Sequence, residues 1–234
     1  MKKILMSIFI TFLSVGILSA NDALGSVEKV NGNVKVKSEN SFKKSKVKKC
    51  LEIKKGDLIT TAKNANVVIN LLDGSTLVLD ASSTLYFSSK NIAQQDKGKV
   101  YYKITSRDAK NALKVKTPFA IIGIKGTTFI VDSSENASVK LKEGVVGIQS
   151  VKDEFELYRK TIQAQYDKFV SQQESEFEKF KSQQEEAVAL ITKEFDLQER
   201  NTVSFDGNKV GEKAWTKEDE AEFEYFEKLM GSIE

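Results

Sequence analysis

The chain contains no histidine, one cysteine, one proline and one tryptophan in 234 residues. Without histidine, the commonest general base and the commonest transition-metal ligand are both missing. A Ser-His-Asp triad is excluded, and a lone thiol cannot complete a zinc site. Cys50 has no internal partner, so no intrachain disulfide forms. A Ser-Lys pair remains formally open, but lysine and serine are so abundant that no pair stands out. Asp57, Asp73 and Asp80 sit where turns and strand ends use aspartate for local hydrogen bonds, which is their simplest reading. Calcium-loop spacing is absent. The expectation is a protein with no catalytic residues, metal or cofactor.

Long apolar runs are also missing, apart from the N-terminus. "MKKILMSIFITFLSVGILSA" places two lysines before an apolar stretch that ends in Ser19-Ala20. Residues 1–20 have the layout of a secretory signal peptide, short for a bilayer core of about 30 Å. An uncleaved N-terminal anchor is the competing reading. Either way the remainder is expected to be exported.

Charge of one sign is scarce in each half. Residues 25–150 carry 22 Lys+Arg against 11 Asp+Glu, whereas residues 151–234 carry 12 against 21. A basic front and an acidic back attract each other, within one chain or between chains. The run "KKSKVKK", with Lys43, Lys44, Lys46, Lys48 and Lys49, extends through Lys37, Lys54 and Lys55. It is the candidate surface for an anionic envelope component, against the plainer reading of a solvated loop.

Residues 25–150 read as an all-β domain. "VEKVNGNVKVK" and "VVINLLDGSTLVLD" carry hairpin signals at Asn31-Gly32 and Asp73-Gly74. The segments that follow are rich in β-branched and aromatic residues, with turn signals about every eight to twelve positions. These are the marks of a sandwich or solenoid of short antiparallel strands. Residues 151–200 lose proline and glycine, and "YDKFVSQQESE" is followed by "FEKFKSQQEEA", an eleven-residue repeat. Carried outward, the repeat aligns Phe155, Tyr166, Phe177 and Val188, and beside them Tyr158, Phe169, Phe180 and Ile191. This predicts a long amphipathic helix over 151–200, packed on the β domain or forming a coiled-coil homo-oligomer. Residues 201–234 read as a short hairpin around Asp206-Gly207 and a last helix. That helix is capped by Thr216 and Asp219, has Phe223, Phe226 and Met230 on one side, and ends at Gly231.

"AIIGIKGTTFIV", residues 120–131, permits three readings. A KH clamp would need flanking helices, and its flanks are strand-like; a phosphate loop would need lysine after the second glycine and a helix next. No nucleic acid is expected. The remaining reading is structural, with Pro118 at a strand start and Gly123 and Gly126 allowing a bend.

Around these residues the sequence resembles the FecR domain of bacterial iron-signalling regulators. The likeness rests on "TPFA" with Thr117, Pro118 and Ala120, on "GTTFIV" with Gly126, Thr127, Phe129 and Val131, and on "VKLKEGVV" with Glu143 and Gly144. "GDLIT" with Gly56 and Asp57, "VVINLLDGS" with Asp73, Gly74 and Ser75, and Gly98-Val100 precede them in order. The resemblance implies an all-β, partly solenoid-like periplasmic domain that binds protein. In the regulators that domain relays a signal from an outer-membrane transporter to a sigma factor. With the apolar run starting at residue 4, the regulators' cytoplasmic segment is not expected here, and the sequence after Ser150 differs from their α/β lobe. A non-enzymatic interaction or sensing module is the leading expectation, and a component of iron or envelope-stress signalling the second.

Overall fold

The computed structural model describes residues 23–39, 41–105, 112–124, 126–159 and 189–231. They form twenty strands and one helix. In chain order the strands begin β1 (Ala23–Asn31), β2 (Val34–Lys37), β3 (Ser45–Lys46), β4 (Glu52–Lys54), β5 (Leu58–Thr61), β6 (Asn66–Leu71) and β7 (Thr76–Leu79). Next come β8 (Thr84–Ser89), β9 (Ile92–Lys97), β10 (Lys99–Lys103), β11 (Leu113–Lys116), β12 (Ala120–Ile124), β13 (Thr128–Asp132), β14 (Ser138–Glu143) and β15 (Val145–Ser150). The last five are β16 (Phe155–Tyr158), β17 (Leu190–Thr192), β18 (Glu194–Gln198), β19 (Asn201–Asp206) and β20 (Lys209–Ala214), followed by helix α1 (Lys217–Met230).

The strands divide between two sheets. One has eleven strands in the order β17-β16-β20-β19-β14-β13-β10-β7-β6-β1-β4, the other nine in the order β18-β15-β12-β11-β9-β8-β5-β2-β3. Pairing is antiparallel except for β9 with β11 and β16 with β20. One continuous core fills the space between the sheets, from Val27 and Ile53 at one end to Phe195 and Val210 at the other. Strands such as β2 and β11 bury every second residue, as a sheet with one wet face requires.

The Asp73-Gly74 turn joins β6 to β7 as an antiparallel hairpin, with Val67 opposite Leu79. Asn31-Gly32 does something else. Gly32 has φ +75°, but β1 and β2 belong to different sheets, so the turn carries the chain across the sandwich. The bend at Gly126 does the same. β12 lies in the nine-stranded sheet and β13 in the eleven-stranded one, with Gly126 at φ +64° between them.

A polar clamp crosses the core. Gln95 of β9 is fully buried, and its amide nitrogen donates to the carbonyls of Gly98 (2.8 Å) and Val131 (2.9 Å). Its amide oxygen accepts from the Tyr102 hydroxyl at 2.9 Å. Donor and acceptor ends of that side chain are thereby both used, which is what makes its burial tolerable.

The expected long helix over 151–200 is corrected by the strands found there. Phe155 and Tyr158 lie in β16, Ile191 lies in β17, and β18 follows. Phe155 and Leu157 are buried, as are Phe195 and Leu197, a two-residue period that serves a sheet and not a helix stripe. Phe155 meets Phe195 edge-on at 5.7 Å inside the core. Tyr166, Phe169, Phe177, Phe180 and Val188 lie outside the described residues. The coiled-coil reading has no support in the structure. Among the described residues no helix is long and apolar enough to cross a membrane.

Candidate interaction surfaces

The sandwich has two outer faces. Strands β6, β7, β10 and β13 bury consecutive residues, so apolar side chains emerge on both sides of the eleven-stranded sheet. Val68, Val78, Tyr101 and Ile130 point away from the main core and meet Phe223 and Phe226 of α1, with Trp215, Leu229 and Met230 at the margin. Tyr101 stacks on Phe226 at 5.6 Å and meets Phe223 edge-on at 5.8 Å. Trp215 packs on Phe223 at 5.1 Å and donates its indole N–H to Glu220, the anchor its place before the helix suggests.

The helix starts with a capping box. The Thr216 hydroxyl accepts from the Asp219 N–H, and the Asp219 carboxylate accepts from the Thr216 N–H. Gly231 ends it at φ +78°, and Lys29 of β1 donates to the Met230 carbonyl at 2.9 Å.

Around the aromatic contact runs a ring of ion pairs. Lys140 reaches Asp219 and Glu222, both at 2.7 Å. Lys142 reaches Glu227 at 2.8 Å, and Lys99 bridges Asp132 (3.6 Å) and Glu222. Burial alone would push Lys140 down and the two carboxyls up. Their mutual hydrogen bonds outweigh it, so Lys140 stays above the usual lysine range and Asp219 and Glu222 below theirs. Part of the attraction between the basic front and the acidic tail is thus satisfied inside one chain.

The opposite outer face carries no cover among the described residues. Strand register aligns one row across eight strands: Lys37, Leu58, Tyr86, Gln94, Lys116, Ile121, Gln149 and Glu194. A second row runs Lys46, Lys35, Thr60, Thr84 and Lys97. These side chains are exposed or half-buried. The face is basic toward β2 and β3 and acidic toward β18.

Of the five expected interaction lysines, Lys46 lies on edge strand β3, directly opposite Lys35, a like-charge pair that disfavours the sheet on its own. Lys43 and Lys44 occupy the loop before β3, and Lys48 and Lys49 the turn after it. All five are exposed. Lys49 lies 3.8 Å from Glu28, and the other four have no ion-pair partner among the described residues. Lysine on a sheet edge also discourages further strands from adding. Cys50 is exposed in the same turn with φ +63°.

The family-motif residues are distributed as corner pieces and do not converge on one pocket. The buried Asp57 carboxylate accepts from the Lys54 N–H at 2.9 Å, closing the turn at Gly56. Asp73 accepts from the Ser75 N–H and hydroxyl. Thr117 caps the turn through Pro118 by accepting from the Ala120 N–H at 2.9 Å. Gly126, Thr127 and Gly144 do come together. Gly144 has φ +91°, and a Cβ there would lie 2.7 Å from the Thr127 methyl and 3.0 Å from the Gly126 carbonyl. The Gln95 clamp and the outward Tyr101 were not singled out in the sequence. For Tyr101 the signal existed in the adjacent pair "YY", which cannot face one side of a strand.

Residues 57–147 match the family model described as FecR protein. That segment, about two fifths of the chain, is FecR-like. The matched segment runs from the end of the β4–β5 turn into β15. Strands β1–β4 and β16–β20 extend the same two sheets beyond the FecR match on either side. A search of curated proteins finds no match. Among solved structures, two crystal structures of a "putative anti-sigma factor" from Parabacteroides distasonis are similar at 14% identity. The first has a TM-score of 0.46, with 71% of this chain and 63% of that chain covered; for the second the values are 0.44, 68% and 59%. The chain thus spans less than two thirds of either protein.

Proposed function

We propose that the chain is a non-enzymatic regulatory module of the bacterial cell envelope, which senses or relays a signal by binding a protein partner. The observation that carries this reading is the FecR match over residues 57–147, the family whose resemblance implies a protein-binding signal relay. The geometry supports it. The matched segment's motif residues serve corners, and the bare outer face of the nine-stranded sheet offers a broad polar surface whose charge changes sign from β2 to β18. Complementary charge of that kind orients a partner and speeds its approach.

A photo-crosslinking amino acid placed at Tyr86, in the middle of the bare face, tests this in intact cells. A discrete adduct is expected there and none at Tyr225, on the outer side of α1. Absence of adducts at Tyr86, Lys116 and Gln149 alike overturns the proposal, as does recovery of the protein from the cytoplasm. The second reading, a component of iron or envelope-stress signalling, follows from the same family match. It requires that deleting the gene change transcription of a sigma-factor regulon, and an unchanged transcript profile removes it.

A further inference from the structure

Strand direction sorts the loops into two ends. β1 leaves one end at Ala23, and β2 returns to that end at Lys37, so residues 38–39 and 41–44 lie there. Ala23 is opposite Lys54, which places Lys54 and Lys55 beside it. A Cβ on Gly56 would meet the Glu39 side chain at 2.5 Å, so the two loops touch. The β6–β7 hairpin turn reaches the same end, with the Leu72 N–H donating to the Leu24 carbonyl at 2.9 Å. Ala23, Leu72 and Lys90 line one shallow apolar cleft between the sheets there.

Two large apolar side chains project from this end. Phe42 is fully exposed, at 101% of its reference area, and Leu72 is 74% exposed. They are the most exposed large hydrophobics among the described residues. Lysines 37, 43, 44, 54, 55 and 90 lie at the same end, all exposed. Among the described residues the acids nearby are Glu39, Glu52, which pairs with Lys54 at 3.4 Å, and Asp73, held by Ser75. A fully wet phenylalanine beside consecutive lysines has no use in folding. The combination suits the boundary of an anionic bilayer, where the ring enters the acyl region and lysines stay among phosphates. Ala23 is also the first described residue after the N-terminal apolar run, so the chain that follows the run enters the fold at this end.

We propose that this end of the sandwich docks on an anionic lipid surface, with Phe42 and Leu72 inserted and the six lysines contacting headgroups. Of the outer-face rows the docking uses only Lys37, at the β2 side of the nine-stranded sheet, so it is separable from the protein-partner reading.

The test uses the full chain, as recovered from the cells, carrying Phe42→Trp. Vesicles are made of phosphatidylcholine alone or of phosphatidylcholine and phosphatidylglycerol in equal parts, with brominated acyl chains. Emission from the indole at position 42 is expected to be quenched on the anionic vesicles at about ten-fold less lipid than on neutral ones. Unmodified protein, with Trp215 alone, gives the background. Quenching is the deciding readout, because a tether elsewhere in the chain brings the protein to a vesicle without placing position 42 among acyl chains. In flotation with anionic vesicles, Lys43→Ala/Lys44→Ala should weaken binding about 25-fold, roughly five-fold for each lysine. Phe42→Ala should weaken it about ten-fold. Lys63→Ala/Lys97→Ala, at the opposite end, should stay within about two-fold. Circular dichroism confirms that each variant folds. Emission from position 42 that stays unquenched while the protein still floats in a salt-sensitive way means charge attraction alone, as an anionic polymer would give, and overturns the proposal. Equal quenching on both vesicle types, or equal weakening by the Lys63/Lys97 pair, overturns it too.

Discussion

The two outer faces of the sandwich are both built from short strands, but the strands differ in pattern and the faces end differently. On the eleven-stranded sheet, stretches such as "LVL" (77–79), "VYY" (100–102) and "FIV" (129–131) are apolar at every position. On the nine-stranded sheet, "VKVK" (34–37) and "LKVK" (113–116) alternate. Where alternation holds, one face is wet and needs no cover. Where it fails, the second face must be covered, and α1 covers it with Phe223 and Phe226. The cover is fixed by charge at its rim, whereas the bare face keeps its lysines in solvent and available.

The largest effect that would break this contrast lies under the helix. Phe226→Ala removes a fully buried ring and should cost about 3–5 kcal/mol in urea unfolding. Tyr86→Ala on the bare face should cost less than about 1 kcal/mol. Equal losses would mean that something covers both faces.

The rim comes next. Lys140→Met leaves Asp219 and Glu222 facing each other with less compensation and should cost about 2 kcal/mol at neutral pH. The sign with pH follows from the shifts. Both carboxyls sit below their ordinary values when folded, so their contribution is full above about pH 4 and is lost as pH falls through the folded values. Lys140 sits above its ordinary value, so its share is full below about pH 10 and fades as pH rises through the folded value. Acid titration of α1 by circular dichroism should therefore show the helix loosening below about pH 4, and a Lys140→Met protein should show less of that dependence. A smaller effect belongs to the cap: Thr216→Ala should cost about 1 kcal/mol, read as a lower urea midpoint at unchanged slope.

Much of the fold was legible because local chemistry and tertiary role agree. Asp73-Gly74 sets a hairpin, Thr216 and Asp219 set a helix start, and the FecR-like pieces fall in order along the ladder. Two misreadings share a cause. Asn31-Gly32 has hairpin chemistry, but the turn joins strands of different sheets, and pairing is decided by which partner buries Val34 and Val36. At 155–158 and 190–198 a repeat centred on 166–187 was carried outward over segments with their own two-residue alternation. Phe155 and Leu157 fill the core at that spacing, as Phe195 and Leu197 do. The candidate surfaces were legible only in composition. "KKSKVKK" marks positive charge, but strand direction alone separates Lys43 and Lys44 at one end from Lys48 and Lys49 farther up the edge.

The amide of Gln95 has one further consequence. Greasy layers slide over each other with little penalty, since many offsets bury similar area. An amide that finds its partners at a single offset removes that freedom, because any other leaves donor and acceptor stranded in oil. Replacing it with leucine would preserve the volume but strand the buried Tyr102 hydroxyl, yielding a protein that melts earlier and gives blurred amide spectra.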